Sequence, residues 1–115
     1  MINVCRVYDK KIPDGYKILV DRLWPRGIKK EFIDYWARDI APSEELRKWF
    51  SHDRDKWKEF VEKYKNELTE NEKLNEFLIM LREKEKNGNV IFLYATKEEN
   101  FNNANALKLI IESIL

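Results

Sequence analysis

Asp21, Arg22, Leu23, Trp24, Pro25, Arg26 and Gly27 follow directly on the apolar run Ile18, Leu19, Val20, so a carboxylate, two guanidiniums and an indole crowd one short stretch. An arginine presents a planar fork of donors suited to a carboxylate or phosphate and stays charged at any cellular pH. Arg22 and Arg26 can therefore clamp one anion, with Asp21 orienting them. Trp24 offers a flat apolar wall, Pro25 stiffens the turn, and Gly27 lets backbone amides approach a ligand. The competing reading is architectural: Arg22 pairs with Asp21 or caps a helix, and Trp24 fills core.

Two further candidates lie outside this stretch. His52, the only histidine, stands between two helical segments beside Asp53; an imidazole, titrating at about 6.5 when unperturbed, is a candidate general acid or base. The alternative is a histidine that caps the preceding helix through a free carbonyl. Lys97 directly follows an apolar run in Tyr94-Ala95-Thr96-Lys97. Its ammonium can meet an anion or, if desolvated, act as a base; a solvated surface lysine is the plain alternative. No nucleophile stands out, since Cys5 lies near the start of a strand and reads as a buried, inert thiol. Glycines occur only at 15, 27 and 88, which excludes the phosphate-loop and dinucleotide glycine patterns. No cofactor and no metal ligand set is expected.

The elements that must position these residues are legible from periodicity. Asn3 to Tyr8 and Tyr16 to Trp24 read as strands, with Pro13, Asp14 and Gly15 as a turn between them. Ser43 is placed to cap a short helix, Glu44 to Phe50. From Asp53, Trp57, Phe60, Val61, Tyr64 and Leu68 form the stripe of an amphipathic helix; Leu74, Phe77, Leu78 and Leu81 form another that ends at Asn87-Gly88, a left-handed cap signal. Val90 to Tyr94 is continuously apolar, as in a strand covered on both faces. Ala104, Leu107, Ile111 and Ile114 stripe a closing helix from Asn100 to Leu115. The pattern predicts a small single-domain α/β sandwich spanning residues 1–115, its sheet mostly parallel and flanked by helices on both faces, with Ile18–Val20 and Val90–Tyr94 adjacent. In such sheets ligands sit beyond the carboxyl ends of the strands: at Tyr8-Asp9, at Asp21 to Gly27, and at Ala95 to Lys97. The first two strands are joined by too few residues for a crossover helix, so they are either antiparallel neighbours or parallel with another strand between them.

Composition narrows the function. The chain has 115 residues, 43% hydrophobic and 37% charged, with four tryptophans, which describes one packed globule. Basic and acidic residues number 22 and 21, so no global field draws the protein to nucleic acid or anionic lipid, and any basic site is local. A single cysteine suits a reducing compartment. No stretch is apolar enough to span a bilayer and the start lacks a signal-peptide core, so a cytoplasmic location and no membrane partner are expected.

The blocks Val7-Tyr8-Asp9, Leu19 to Gly27, Ala41 to Asp53, and Leu93 to Glu99 before Asn102-Asn103-Ala104 resemble the YeaO-like family of uncharacterised bacterial and archaeal proteins. The resemblance covers nearly the whole chain and implies an α/β architecture without a known reaction. Its pattern falls on every candidate above, and adds Tyr8 and Asn102 to Arg22, Trp24 and Arg26 as ligand contacts beside the catalytic candidates His52, Asp21 and Lys97. Relatives tend to read His-Asn-His-Ala where this chain has Phe101-Asn102-Asn103-Ala104, which argues against histidine- or metal-dependent chemistry at the last helix. The expected partner is a small anionic ligand such as a phosphate- or carboxylate-bearing metabolite. The alternative is a nucleic-acid module that stacks bases on Trp24 and contacts phosphate through Arg26, Lys29 and Lys30.

Overall fold

Val90–Tyr94 (β4) is buried at all five positions and is the strand on which the sheet is assembled. In a computed structural model describing residues 1–114, it pairs in parallel with Ile2–Arg6 (β1) on one side and Tyr16–Leu19 (β2) on the other. A two-residue strand, Tyr35–Trp36 (β3), adds in parallel to the outer edge of β2, giving the order β1-β4-β2-β3. Of the two arrangements open to the first strands, the parallel one with a strand between them is therefore adopted. The expected neighbours, Ile18–Val20 and Val90–Tyr94, are adjacent and parallel. Gly15 makes the entry to β2 possible: Tyr16 donates its N–H to the Asn89 carbonyl at 2.9 Å, and a Cβ on Gly15 would lie 2.7 Å from that same oxygen.

Alternation along the strands separates two cores. Ile2, Ile18, Val20, Val90, Phe92 and Tyr94 face the four α-helices: Glu44–Phe50 (α1), Trp57–Thr69 (α2), Leu74–Asn87 (α3) and Asn103–Ile114 (α4). Leu19, Ile91 and Leu93 face the other way and are covered by Trp24, Ile28, Phe32, Ile33 and Trp36, which belong to loop, one 3₁₀ turn (Lys30–Phe32) and β3. The sheet is thus buried on both faces, as the apolar run of β4 requires, but α-helices cover only one. The expected helices on the second face are replaced by an irregular layer that carries the stretch after β2.

The helices form where their stripes place them. Ser43 caps α1, its hydroxyl accepting from Leu46 N–H at 3.1 Å. Asp53 caps a 3₁₀ turn, Arg54–Lys56, that leads into α2. Along α2, Phe60, Tyr64 and Leu68 are buried, while Trp57 and Val61 are half-buried. The chain leaves α3 at Gly88 with φ 156° and ψ −161°, not the left-handed geometry expected of the cap. The closing helix starts at Asn103, three residues later than its stripe suggested, because Asn102 serves as its cap; Leu115 lies outside the described residues. None of the helices among the described residues is long and apolar enough to cross a membrane.

Candidate functional site

The carboxyl ends of β1, β2 and β4 are stitched together by side chains of the residues that follow them. Arg6, the last residue of β1, donates Nε to the carbonyls of Ala95 and Thr96 at 3.0 and 2.9 Å. Beyond β2, the Asp21 carboxylate accepts from Ala95 N–H at 3.0 Å and from Asn103 Nδ2 at 3.1 Å. Asn103 Nδ2 also reaches the Val20 carbonyl at 2.9 Å. One amide at the start of α4 thereby ties the end of β2 to the helix layer.

These ends floor an open cavity of about 400 Å³, walled by Arg22, Trp24, Arg26, Arg47, His52 and Asn103 among others. Asp21 lies in its wall. Burial pushes the Asp21 carboxyl above the ordinary carboxylate value; the hydrogen bonds from Asn103 and Ala95, then the charges of Arg47 and His52, oppose that rise without cancelling it. Asp21 does not orient the arginines as expected, since it forms no ion pair with them among the described residues; its bonds are to backbone and amide.

The two arginines of the motif have separate roles. Arg22 is half-buried and spends Nε on the Pro42 carbonyl, 3.1 Å, and Nη2 on the Ala41 carbonyl, 3.3 Å, tying the turn after β2 to the segment before α1. Arg26 is exposed, and among the described residues its guanidinium has neither a hydrogen bond nor an ion pair. Its carbonyl accepts from the Tyr8 hydroxyl at 2.8 Å, and the Tyr8 ring lies under the Arg6 guanidinium, 5.0 Å from centroid to Cζ. Tyr8 thus latches the Pro25–Gly27 turn to the end of β1. Trp24 is half-buried, donates Nε1 to the Ile28 carbonyl at 2.8 Å and meets Trp36 edge-on at 5.3 Å. It packs against the core of the α-helix-free face and borders both this cavity and a neighbouring hollow lined by Ile33, Tyr35 and Trp36.

His52 reaches the cavity on a strained turn. Ser51 and His52 both adopt left-handed backbone, φ 46° and 56°, a conformation costly for residues with a Cβ. His52 Nδ1 lies 3.2 Å from the Phe101 carbonyl. A carbonyl only accepts, so Nδ1 carries the proton of that bond and Nε2 is left for the cavity. The histidine joins the turn after α1 to the approach of α4, instead of capping the helix it follows.

Two expected contacts do not reach the cavity. Lys97 is exposed beyond β4 and is absent from the cavity wall. Asn102 is fully buried, with Nδ2 on the Glu98 carbonyl and Oδ1 accepting from Asn105 N–H, so one end of its amide holds the loop before α4 and the other caps the helix. Sequence reasoning missed Arg47, exposed on α1 with no ion pair among the described residues, and Asn103. Arg47 had the appearance of an ordinary cation in a helix's last turn. For Asn103 a signal existed: four asparagines stand at the start of the last helix, more than capping consumes. No group of three or more His, Cys, Asp or Glu among the described residues could hold a metal ion.

Fold and cavity together define a small parallel α/β domain whose strand ends open into an arginine-rich cleft. Residues 1–115 match the family model DUF488-N3i, described as the inactive DUF488-N3 subclade, and the chain belongs to that family. It is 42% identical over 106 residues to "Uncharacterized protein YeaO" of Escherichia coli K12, a match covering 90% of each chain, in keeping with the YeaO-like motifs. It is also 42% identical over 78 residues to "Uncharacterized protein Rv3073c" of Mycobacterium tuberculosis H37Rv; that match spans 65% of this chain and 66% of the relative, just under two thirds of its length. No solved structure matches the chain.

Proposed function

We propose that this protein binds a small anion, through a phosphate or carboxylate group, in the cavity at the carboxyl ends of β1, β2 and β4. Arg26 and Arg47 are the donors; His52 Nε2, unprotonated while Nδ1 holds the proton shared with the Phe101 carbonyl, can accept a proton from an acid ligand. The observation that carries this reading is that Arg26 and Arg47 border one cavity with no carboxylate partner among the described residues. Cations gathered round a cleft repel one another, and an anion seated between them relieves that repulsion. Asp21 suits the role despite its charge: burial raises its affinity for a proton, so its carboxyl can share one with the bound acid group. The description of the family as an inactive subclade supports binding over turnover.

Each charge-assisted contact contributes about 1.5–3 kcal/mol net; two of them, about 3–6 kcal/mol, correspond to a dissociation constant on the order of 1 mM for inorganic phosphate. Calorimetry with phosphate, sulfate and acetate at fixed ionic strength tests this. Arg26→Gln and Arg47→Gln should each weaken binding at least about fivefold while leaving the melting temperature of the free protein unchanged. Absence of saturable binding up to about 10 mM, or undiminished binding by both variants, refutes the assignment.

A further inference from the structure

A second cavity, about 390 Å³, opens beside the first and shares Leu23, Arg47, His52 and Asn103 with it. Its remaining wall has a different chemistry. Phe50 and Phe60, only 3% and 1% exposed, stack at 4.1 Å with an interplanar angle of 17° and back its apolar floor. Glu44 and Lys48 stand on its rim and neutralise each other across 3.3 Å. The charges of the first cavity are unpaired, whereas the charged side chains peculiar to the second are paired. Between the two stands Leu23, a large apolar side chain left 64% exposed, on the same turn that carries Arg22 and Arg26.

We infer that the two cavities are one site for an organic acid whose phosphate or carboxylate is joined directly to a single apolar ring or branched chain. This rests on the anion reading above and extends it to the rest of the ligand. The acid group lies between Arg26 and Arg47. The apolar body passes Asn103 and His52 into the second cavity, where Leu23 covers it against the Phe50–Phe60 pair. Arg47 serves both halves, its guanidinium meeting the acid and its aliphatic stem lining the passage. A bare inorganic anion fills only the charged half and leaves Leu23 in water.

Covering about 60 Å² of apolar surface corresponds to a roughly tenfold gain in affinity. Calorimetry therefore compares inorganic phosphate with phenyl phosphate on the wild type and on Leu23→Ala, an exposed position at which truncation leaves the fold intact. The expected result is that phenyl phosphate binds the wild type about tenfold tighter than phosphate, and that Leu23→Ala brings the ratio of the two affinities most of the way back to one. Equal affinity for the two probes overturns the extended site and leaves the anion site standing. An advantage for phenyl phosphate that survives Leu23→Ala overturns it as well, since the ring is then held elsewhere. Failure of both probes to bind overturns the anion reading and this one with it.

Discussion

Replacing Arg22 with methionine should destabilise the protein by about 3 kcal/mol, although the residue borders a cavity and has the appearance of a ligand contact. The guanidinium bonds the carbonyls of Pro42 and Ala41, at 3.1 and 3.3 Å, and neither carbonyl has another protein partner among the described residues. A charge-assisted bond is worth about 1.5–3 kcal/mol; the longer of the two exceeds the usual N···O range and counts for about half. Methionine keeps the aliphatic stem, so packing changes little, but two carbonyls of buried residues lose their donor. For a domain of this size about 3 kcal/mol lowers Tm by roughly 12 °C. Urea denaturation of Arg22→Met against Arg26→Met is the assay. Arg26 has no bond to lose, and its variant should stay within about 0.5 kcal/mol of the wild type. If Arg22→Met also stays within about 0.5 kcal/mol, or if Arg26→Met falls as far, the division between a structural arginine and an unbonded one is refuted.

Tyr64 is fully buried and donates its hydroxyl to the Ile40 carbonyl at 2.6 Å; Tyr64→Phe should cost about 1–3 kcal/mol in denaturant, and a neutral result would mean that the carbonyl finds another donor. Gly15→Ala, with its new Cβ 2.7 Å from the Asn89 carbonyl oxygen, should destabilise by at least about 2 kcal/mol, and an unchanged unfolding midpoint would contradict that close approach. Burial holds the Asp21 carboxyl above its ordinary value, so its contribution to folding is fully present below the unfolded value of about 3.9 and is lost as pH rises through the folded one. A carboxyl-detected NMR titration should give Asp21 a midpoint above about 3.9, and a midpoint below it would show that the hydrogen bonds from Asn103 and Ala95 outweigh desolvation.

Much of the scaffold is legible in the sequence because burial leaves a period. Val90–Tyr94 loses strand alternation since both its faces are covered, and the stripes of α2, α3 and α4 follow from packing against one side of the sheet. β3 is illegible because two residues carry no period, and the layer of Trp24, Ile28, Phe32 and Ile33 is illegible because an irregular segment buries side chains without a repeat. The site divides along the same line. The motif that follows β2 marks the right place, but Arg22 and Arg26 differ only through the carbonyls of Ala41 and Pro42, which tertiary structure brings to one of them. Lys97 and Asn102 stand close in sequence to the cavity's residues and still face elsewhere. Arg47, twenty-odd positions from the motif, arrives there because α1 packs beside the strand ends.

The strand order also governs how the chain can reach this structure. β1 and β2 are made first yet have no hydrogen bonds to each other; both wait for β4, which slots between them and pairs Ile2 and Tyr16 with the same Val90. Until the last quarter of the chain is available, β1 has no strand partner and β2 has only the two-residue β3 beside it, and joining β1 to the sheet means a long loop closure before any rung to β4 forms. Assembly is therefore late and concerted, with α2 and α3 able to form locally while the sheet cannot. The cleft inherits this timing: its floor comes from the ends of β1, β2 and β4 together, so it exists only once all three strands are in place.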